Sequence, residues 1–590
     1  LQISKIFVAL IASAGLAACG GGGGPGGGGG GVVSTPAPTP TPTPTPVANT
    51  DVGNLVTSER FSSLASSHQV TFDLPSGEAK GSSTAQVQTS ITYDAGADSY
   101  TIDLGGRAVF TASDIVNQSE DAVVYRSTDG DETLYLTLIN QQPRTDAPRG
   151  SVGMGLFQRN VFPQGGQGVQ ESDILYFVYG FETLGDAMPR TGQLRYTTSM
   201  IGLRTSRSQN PLSYFGEGEF LVDLATGYFT ASSEAERYDL VKEEELVGTA
   251  TWSAAGQLSS VSSSFSGFFT FAGLTGELDG SFFGEDAGEL GLTFSGTDEL
   301  GSSVSGAMIG QRDGPSMVNQ TLVALLEEET FLAPAQGLFA GALANGVPHR
   351  GTTGSPLSLT IDLEGNIYYD DTWSWFTPMN FDASSSEVTQ DGSIIRYIER
   401  DRGGNAVLFL NNAVSPSGVA LSYMNFGSMR MQDEFNGGLY EIRRAFIYGF
   451  KTPDFLLRAR TGTASYSGIV YGTANTESAS RYFTASGTSS FVIDFKSGNV
   501  DGSFDVIIVD DASGERFFLG QYTVDTALRD TRNQFYGSVD SGGSSVGAFD
   551  GYLFGPIGQE LGGSFQLTAP DVVDDEDVWV QGIVAATEDR

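Results

Sequence analysis

Few residues in this chain lend themselves to covalent or metal chemistry: two His and one Cys stand among 590 residues. Gly543-Ser544-Ser545-Val546-Gly547 fits the Gly-x-Ser-x-Gly pattern of a nucleophile elbow. That chemistry needs a strand–turn–helix, with a His and an acid beside the Ser. Here Gly547-Ala548-Phe549 leads into another extended run, and His68 and His349 lie far off, so a Ser/Gly hairpin turn is expected. Glu289 and Glu560 stand in two similar segments, and each is expected to bond backbone amides at a turn rather than to act as a catalytic carboxylate. Asp129-Gly130-Asp131-Glu132 and Asp574-Asp575-Glu576-Asp577 lack the alternating oxygens and trailing Glu of a calcium loop and read as solvated acidic turns. There is no P-loop and no dinucleotide-binding glycine fingerprint. The reading is of a non-enzyme, with no catalytic residue, no metal site and no cofactor. The sparse His and Met supply no haem-ligand set.

Two features suggest binding. Trp373-Ser374-Trp375-Phe376 holds two of the four Trp and is bounded by Asp370-Asp371 and Pro378. Trp side chains dominate interface hot spots, which makes Trp373, Trp375 and Phe376 candidate binding residues. Their spacing of two equally suits one buried strand face. From Arg396 to Arg460, nine basic residues face six acids, in a chain whose net charge is −39. That stretch is either a partner-facing patch or the place where basic groups meet acidic neighbours. The acidic balance of the whole argues against nucleic acid as a partner.

Cys19 has one evident use. Lys5 precedes an apolar run from Ile6 to Ala18, too short for a bilayer span and right for a signal-peptide core. The run ends in Leu16-Ala17-Ala18-Cys19, which resembles a bacterial lipobox, in which the signal is cut before a lipid-bearing Cys. Gly20, where an Asp would favour the inner membrane, points to the outer one. Eleven Gly around Pro25 then make a floppy coil, and the Thr-Pro repeat from Thr35 to Pro46 a polyproline II spacer, about 37 Å long at about 3.1 Å per residue. Residues 1–18 are expected to be the signal and 19–54 the anchor linker.

The remainder carries an internal duplication. Gly280-x-x-Phe283-Gly284-(x)4-Glu289-Leu290-Gly291-(x)2-Phe294 matches Gly551-x-x-Phe554-Gly555-(x)4-Glu560-Leu561-Gly562-(x)2-Phe565 at an offset of 551 − 280 = 271. Phe220-x-x-Asp223-(x)3-Gly227 matches Phe491-x-x-Asp494-(x)3-Gly498 at the same offset. Arg190-Thr191-Gly192 with Tyr196 pairs with Arg460-Thr461-Gly462 with Tyr466, and Tyr179-Gly180-Phe181 with Tyr448-Gly449-Phe450. Each copy reads as all-β: short alternating runs such as Phe491, Ile493 and Phe495 are broken by Ser, Gly, Asn and Asp. Val318 to Glu328 is the best helix candidate, with a plain linker as good a reading.

The Gly-x-x-Phe-Gly-(x)4-Glu-Leu-Gly-(x)2-Phe segments resemble the signature of transferrin-binding-protein-B-like barrels of bacterial surface lipoproteins. Gly291-Leu292 departs from the usual double Gly, and Gly558 from a frequent Ala. Val304-Ser305-Gly306-Ala307 and Gln581-Gly582-Ile583-Val584 resemble that family's last barrel strand. The resemblance implies two homologous lobes, each a handle β-sheet domain followed by an eight-stranded antiparallel β-barrel. The corresponding divisions are 55–185 and 186–312 for the first lobe, 313–335 for a linker, and 336–455 and 456–590 for the second. It further implies an outer-membrane, surface-exposed lipoprotein. Such a protein would bind an iron carrier, a haem protein or a related solute for delivery to an outer-membrane transporter, and the resemblance implies a TonB-dependent transporter as its partner. A structural or adhesion lipoprotein without a soluble ligand is the competing reading.

Overall fold

The computed structural model describes residues 48–589 except 104–106, 120–121, 130, 140–149, 163–167, 316–318, 324, 343–347, 372–377, 385–387, 392–393, 400–405, 413–418, 436–437 and 530–531. The chain divides into two compact units, Leu1–Pro315 and Ser316–Arg590. No described helix is long and apolar enough to cross a membrane.

Unit 1 opens with nine strands: β1 (Glu59–Asp73), β2 (Ala79–Asp94), β3 (Ser99–Asp103), β4 (Arg107–Thr111), β5 (Ile115–Gln118), β6 (Ala122–Asp129), β7 (Glu132–Ile139), β8 (Val152–Val161) and β9 (Val169–Gly180). They form one sheet in the order β4-β3-β2-β1-β9-β8-β7-β6-β5. Two meanders thus run outward from the central β1/β9 pair. Period-two alternation divides the side chains between two cores. On β9, Leu175, Phe177 and Tyr179 pack within the sheet's own core, with Ile91, Ile102 and Phe110. Ile174, Tyr176 and Val178 face the barrel and meet its Ile201, Leu203 and Ile309.

Eight further strands close the first barrel: β10 (Gln193–Thr205), β11 (Leu212–Asp223), β12 (Tyr228–Asp239), β13 (Glu244–Leu258), β14 (Ser264–Phe271), β15 (Leu274–Phe283), β16 (Glu289–Thr297) and β17 (Ser303–Pro315), with β17 returning to β10.

Unit 2 has β18 (Glu329–Ala333), β19 (Ala335–Ala342), β20 (Pro348–Thr353), β21 (Leu357–Ile361), β22 (Ile367–Asp370), β23 (Met379–Phe381), β24 (Thr389–Asp391), β25 (Ile394–Glu399), β26 (Ala406–Asn411), β27 (Met424–Phe435) and β28 (Gly438–Gly449). They make two sheets, β18-β21-β22-β23 and β20-β19-β28-β27-β26-β25-β24. A short helix α1 (Asp454–Ala459) leads into the second barrel. Its strands are β29 (Thr463–Thr476), β30 (Tyr482–Asp494), β31 (Asn499–Asp510), β32 (Arg516–Arg529), β33 (Arg532–Ser541), β34 (Ser544–Phe554), β35 (Glu560–Val573) and β36 (Glu576–Glu588).

The second handle differs from the first at one residue with a clear cause. At the duplication offset, β18 and β19 together correspond to β1, and Pro334 between them stands where unit 1 has Leu64. Proline has no N–H for a ladder and resists the middle of a sheet. The strand therefore breaks there, and its two halves join different sheets.

Both lumens are filled with side chains. Phe220, Phe229, Trp252, Phe269 and Phe294 are fully buried in the first, and Phe491, Phe535, Phe565, Val500 and Ile508 in the second. Glycines make room for these rings. Phe265 pairs with Gly280 across β14/β15, and Phe535 with Gly551 across β33/β34. A Cβ on either glycine would meet its partner ring at 2.3 Å.

Candidate functional site

Each barrel is fastened to its handle by one duplicated carboxylate. Glu289 opens β16, and its Oε2 accepts the Val152 N–H at 2.9 Å, at the start of β8. Glu560 opens β35, and its oxygens accept the N–H groups of Ser422 at 2.5 Å, Tyr423 at 3.1 Å and Met424 at 2.8 Å, where β27 begins. Both carboxylates are buried. Burial pushes the Glu560 carboxyl up to about 7, against the pull of its three amide donors. The chemistry expected of this Glu, bonding backbone amides, is what the structure contains. The amides, however, belong to the facing handle strand.

The rest of the signature serves the same junction. Gly284 and Gly555 hold φ of 77° and 85°, a conformation that favours glycine. Their N–H groups donate to Phe181 O and Phe450 O, and their carbonyls accept Thr183 Oγ1 at 2.7 Å and Thr452 Oγ1 at 2.6 Å. Tyr196 Oη donates to Ala287 O and Tyr466 Oη to Gly558 O, each at 2.6 Å. The Asp of the second repeated motif caps a hairpin: Asp223 Oδ1 accepts Ala225 N and Thr226 N, and Asp494 Oδ1 accepts Lys496 N and Ser497 N.

One duplicated device escaped the sequence reading. Asn49 Oδ1 accepts Val56 N and Thr57 N while its Nδ2 donates to Thr57 O and Glu59. Asn319 does the same with Leu326 N, Glu327 N, Glu327 O and Glu329. The described part of 319–328 is therefore a pinned loop, not a helix. The shared offset of 270 between Asn49 and Asn319, and between Glu59 and Glu329, was the available signal.

The expected Ser/Gly turn is present: Gly542 and Gly543 connect β33 to β34, with φ of 57° and 84°. His68 is fully buried between β1 and the first barrel, its ring nitrogens 2.8 Å from Thr205 Oγ1 and 2.9 Å from Ser305 Oγ. Burial lowers its pKa to about 3, so it is neutral. Asp574 and Asp575 form a turn between β35 and β36, where Asp574 pairs with Arg481.

The basic stretch is largely spent on internal partners. Arg444, fully buried, pairs with Asp371 and donates to Ser355 O. Arg443 pairs with Glu441 and Asp511 and lies over the Tyr482 ring at 4.5 Å. Arg430 pairs with Glu441, Arg460 with Glu588, and Lys451 sits 3.7 Å from the Tyr552 ring centroid. Of the two readings left open for this stretch, the meeting of basic groups with acidic neighbours describes the four arginines. Trp373, Trp375 and Phe376, and likewise Cys19, lie outside the described residues. The strands flanking the Trp segment are core: Tyr369, Met379 and Phe381 are buried.

The described side chains of both lumens form continuous buried clusters, as in a small closed barrel whose interior is filled by its own residues. Residues 459–587, the second barrel, match a family model described as the C-lobe and N-lobe beta barrels of Tf-binding protein B. No curated protein matches the chain. Among solved structures, the chain is similar to a mutant of the vaccine antigen transferrin binding protein B from Haemophilus parasuis Hp5 (15% identity over 89% of this chain and 95% of that one, TM-score 0.26). It is similar also to the isotype 1 transferrin binding protein B from serogroup B Neisseria meningitidis (13% identity, 75% and 86% covered, TM-score 0.23). A third is the N-lobe domain of lactoferrin binding protein B of Moraxella bovis (13% identity, 42% and 99% covered, TM-score 0.22). The second barrel carries the family match, and the first barrel repeats its Gly-x-x-Phe-Gly-(x)4-Glu-Leu-Gly-(x)2-Phe segment and its eight-stranded closure.

Proposed function

We propose that this chain is a lipid-anchored, surface-exposed outer-membrane protein. In this reading it captures a protein ligand, an iron carrier of the transferrin type or a haem protein, for delivery to an outer-membrane transporter. The observation that carries the reading is the match of residues 459–587 to the barrels of Tf-binding protein B. The packed lumens support it, because they direct binding to a partner large enough to be gripped from outside. The Leu16-Ala17-Ala18-Cys19 segment and the Gly and Thr-Pro tether support the anchor. The net charge of −39 favours a partner with a basic face.

The test is capture by the immobilised full chain of iron-loaded and iron-free transferrin-type proteins and of haem proteins. Saturable binding of one of them at micromolar or better affinity is expected. Binding of none would leave the structural or adhesion lipoprotein in its place. Fatty-acid labelling that disappears in Cys19→Ser checks the anchor, and protease shaving of intact cells, with a periplasmic control, checks the exposure.

A further inference from the structure

The first barrel has one stretch of strand with a single neighbour. β13 pairs with β14 only from Trp252 to Leu258, while from Glu244 to Thr251 its ladder partner is β12 alone. Among the described residues, no backbone–backbone bond outside that ladder involves Glu244–Thr251. An edge of this kind is a template for another strand unless it is covered or blunted.

This edge is rigid and open. At the hairpin tip, Leu240 is buried among Val70, Phe72 and Ala79 of the handle. Val241 lies so close to Gly77 that a Cβ there would meet it at 2.7 Å. Asp239 Oδ1 accepts Val241 N and Lys242 N, both at 3.0 Å. Midway along it, a register shift between Glu236 and Arg237 forms a bulge at Val247 and Gly248, where Gly248 has φ of 84° and Arg237 donates to Val247 O and Gly248 O. The side chain of Val247, in the bulge, is 96% exposed.

The homologous edge of the second barrel, Arg516–Tyr522 of β32, has a bulge in the same place and likewise lacks a β33 ladder partner, with Phe518 66% exposed. Phe517 packs against Phe483, and Arg481 ties Glu515 to Asp510 and Asp574. The edge of the first barrel differs in its charge. Its surroundings are acidic: Glu243, Glu244 and Glu245 on the hairpin, and Glu234 and Glu236 on β12, are all exposed. Lys242 is held by Glu244 and Asp239. A second copy would set carboxylate against carboxylate, which like-charge pairing across strands disfavours. An extended chain with Lys or Arg at alternate positions would find carboxylates beside it, an apolar partner in Val247 and, apart from the Val247 and Gly248 carbonyls that Arg237 engages, main-chain groups with no ladder partner on that flank.

We propose that the Glu244–Thr251 edge of β13 is a strand-addition site for an extended basic segment of a protein partner. This deepens the protein-capture reading by naming a surface and a chemistry, and the two can fail separately.

The probe is a fluorescein-labelled ten-residue peptide of alternating Lys and Val, titrated into the full chain and followed by anisotropy. A second peptide of the same sequence carries N-methyl groups on alternate amides. The unmodified peptide is expected to bind at least tenfold more tightly than the methylated one, and to slow amide exchange across 244–251 at least tenfold. Val247→Lys, a change at an exposed side chain, and the double variant Glu244→Lys with Glu245→Lys are each expected to weaken binding at least tenfold, with far-ultraviolet circular dichroism unchanged. No binding, equal binding of both peptides, or exchange protection confined to other segments would each overturn the proposal. Capture of an iron carrier that Val247→Lys leaves intact would sink this site alone. Peptide binding without capture of any carrier would sink the capture reading alone.

Discussion

The two handles diverged while the two junctions did not. In unit 1 one nine-stranded sheet backs the barrel, and in unit 2 the same region splits into sheets of four and seven strands. Yet Glu289 and Glu560, Thr183 and Thr452, and Tyr196 and Tyr466 make the same kinds of bond in both units. Where a buried acceptor satisfies several main-chain donors, substitution strands them all, and such positions resist change. The strand that corresponds to β1 carries no such acceptor among its described residues, and it breaks at Pro334, which has no N–H for a ladder.

The comparison breaks first at the carboxylates. Glu560→Ala leaves three buried amides unpaired and is expected to destabilise unit 2 by about 3–5 kcal/mol, with Glu289→Ala doing the same to unit 1. Denaturant unfolding followed through Trp579 and Trp252 separates the two. A loss below about 1 kcal/mol in either unit would show that the junctions are not equivalent.

Acid should then set the units apart. The His68 pKa falls from 6.5 unfolded to about 3 folded, so its contribution is present above pH 6.5 and is lost as pH drops toward 3. The Glu560 pKa rises from 4.5 to about 7, so its contribution is present below pH 4.5 and is lost as pH rises through 7. Between pH 6.5 and 4.5 the two groups act in opposite senses, each by at most about 1.4 kcal/mol per pH unit. Titrating stability in the wild type against His68→Asn and Glu560→Gln isolates each slope. Parallel slopes in wild type and variant would remove the group from the account.

Gly280→Ala and Gly551→Ala sharpen the likeness of the lumens. Each drives a methyl into a phenylalanine ring and is expected to cost about 1–3 kcal/mol in its own unit, read from the shift in denaturation midpoint. Tyr196→Phe and Tyr466→Phe should be the mildest, about 1 kcal/mol each by the same readout, since each deletes one hydroxyl bond to a carbonyl.

Much of the barrel architecture was legible because ring and glycine recur at fixed spacing, and a lumen filled by Phe leaves that trace in both copies. The Glu role was legible too, since a carboxylate beside a turn, with no His near, has amides as its natural partners. The handle loops were not: Asn49 and Asn319 act on residues eight to ten positions on, through polar groups that no apolar period reveals. The fate of the basic stretch was hidden for a related reason. Arg444 answers to Asp371, and Arg443 to Asp511, partners 73 and 68 residues away that only the folded sheets bring near. The free edge of β13 depends on how long its neighbours are, which is a property of the closed barrel and not of the strand's own residues.

The position of β1 has a mechanical consequence. Tension reaching the fold from residues before Asn49 enters at the strand in the middle of the nine-stranded sheet, zipped to β2 on one flank and β9 on the other. Drawn along its own axis, that strand must slide past both neighbours at once, breaking many bonds together, where a strand at the margin would peel away one bond at a time. A fold loaded at its centre in this way resists coming undone at the point where the force enters.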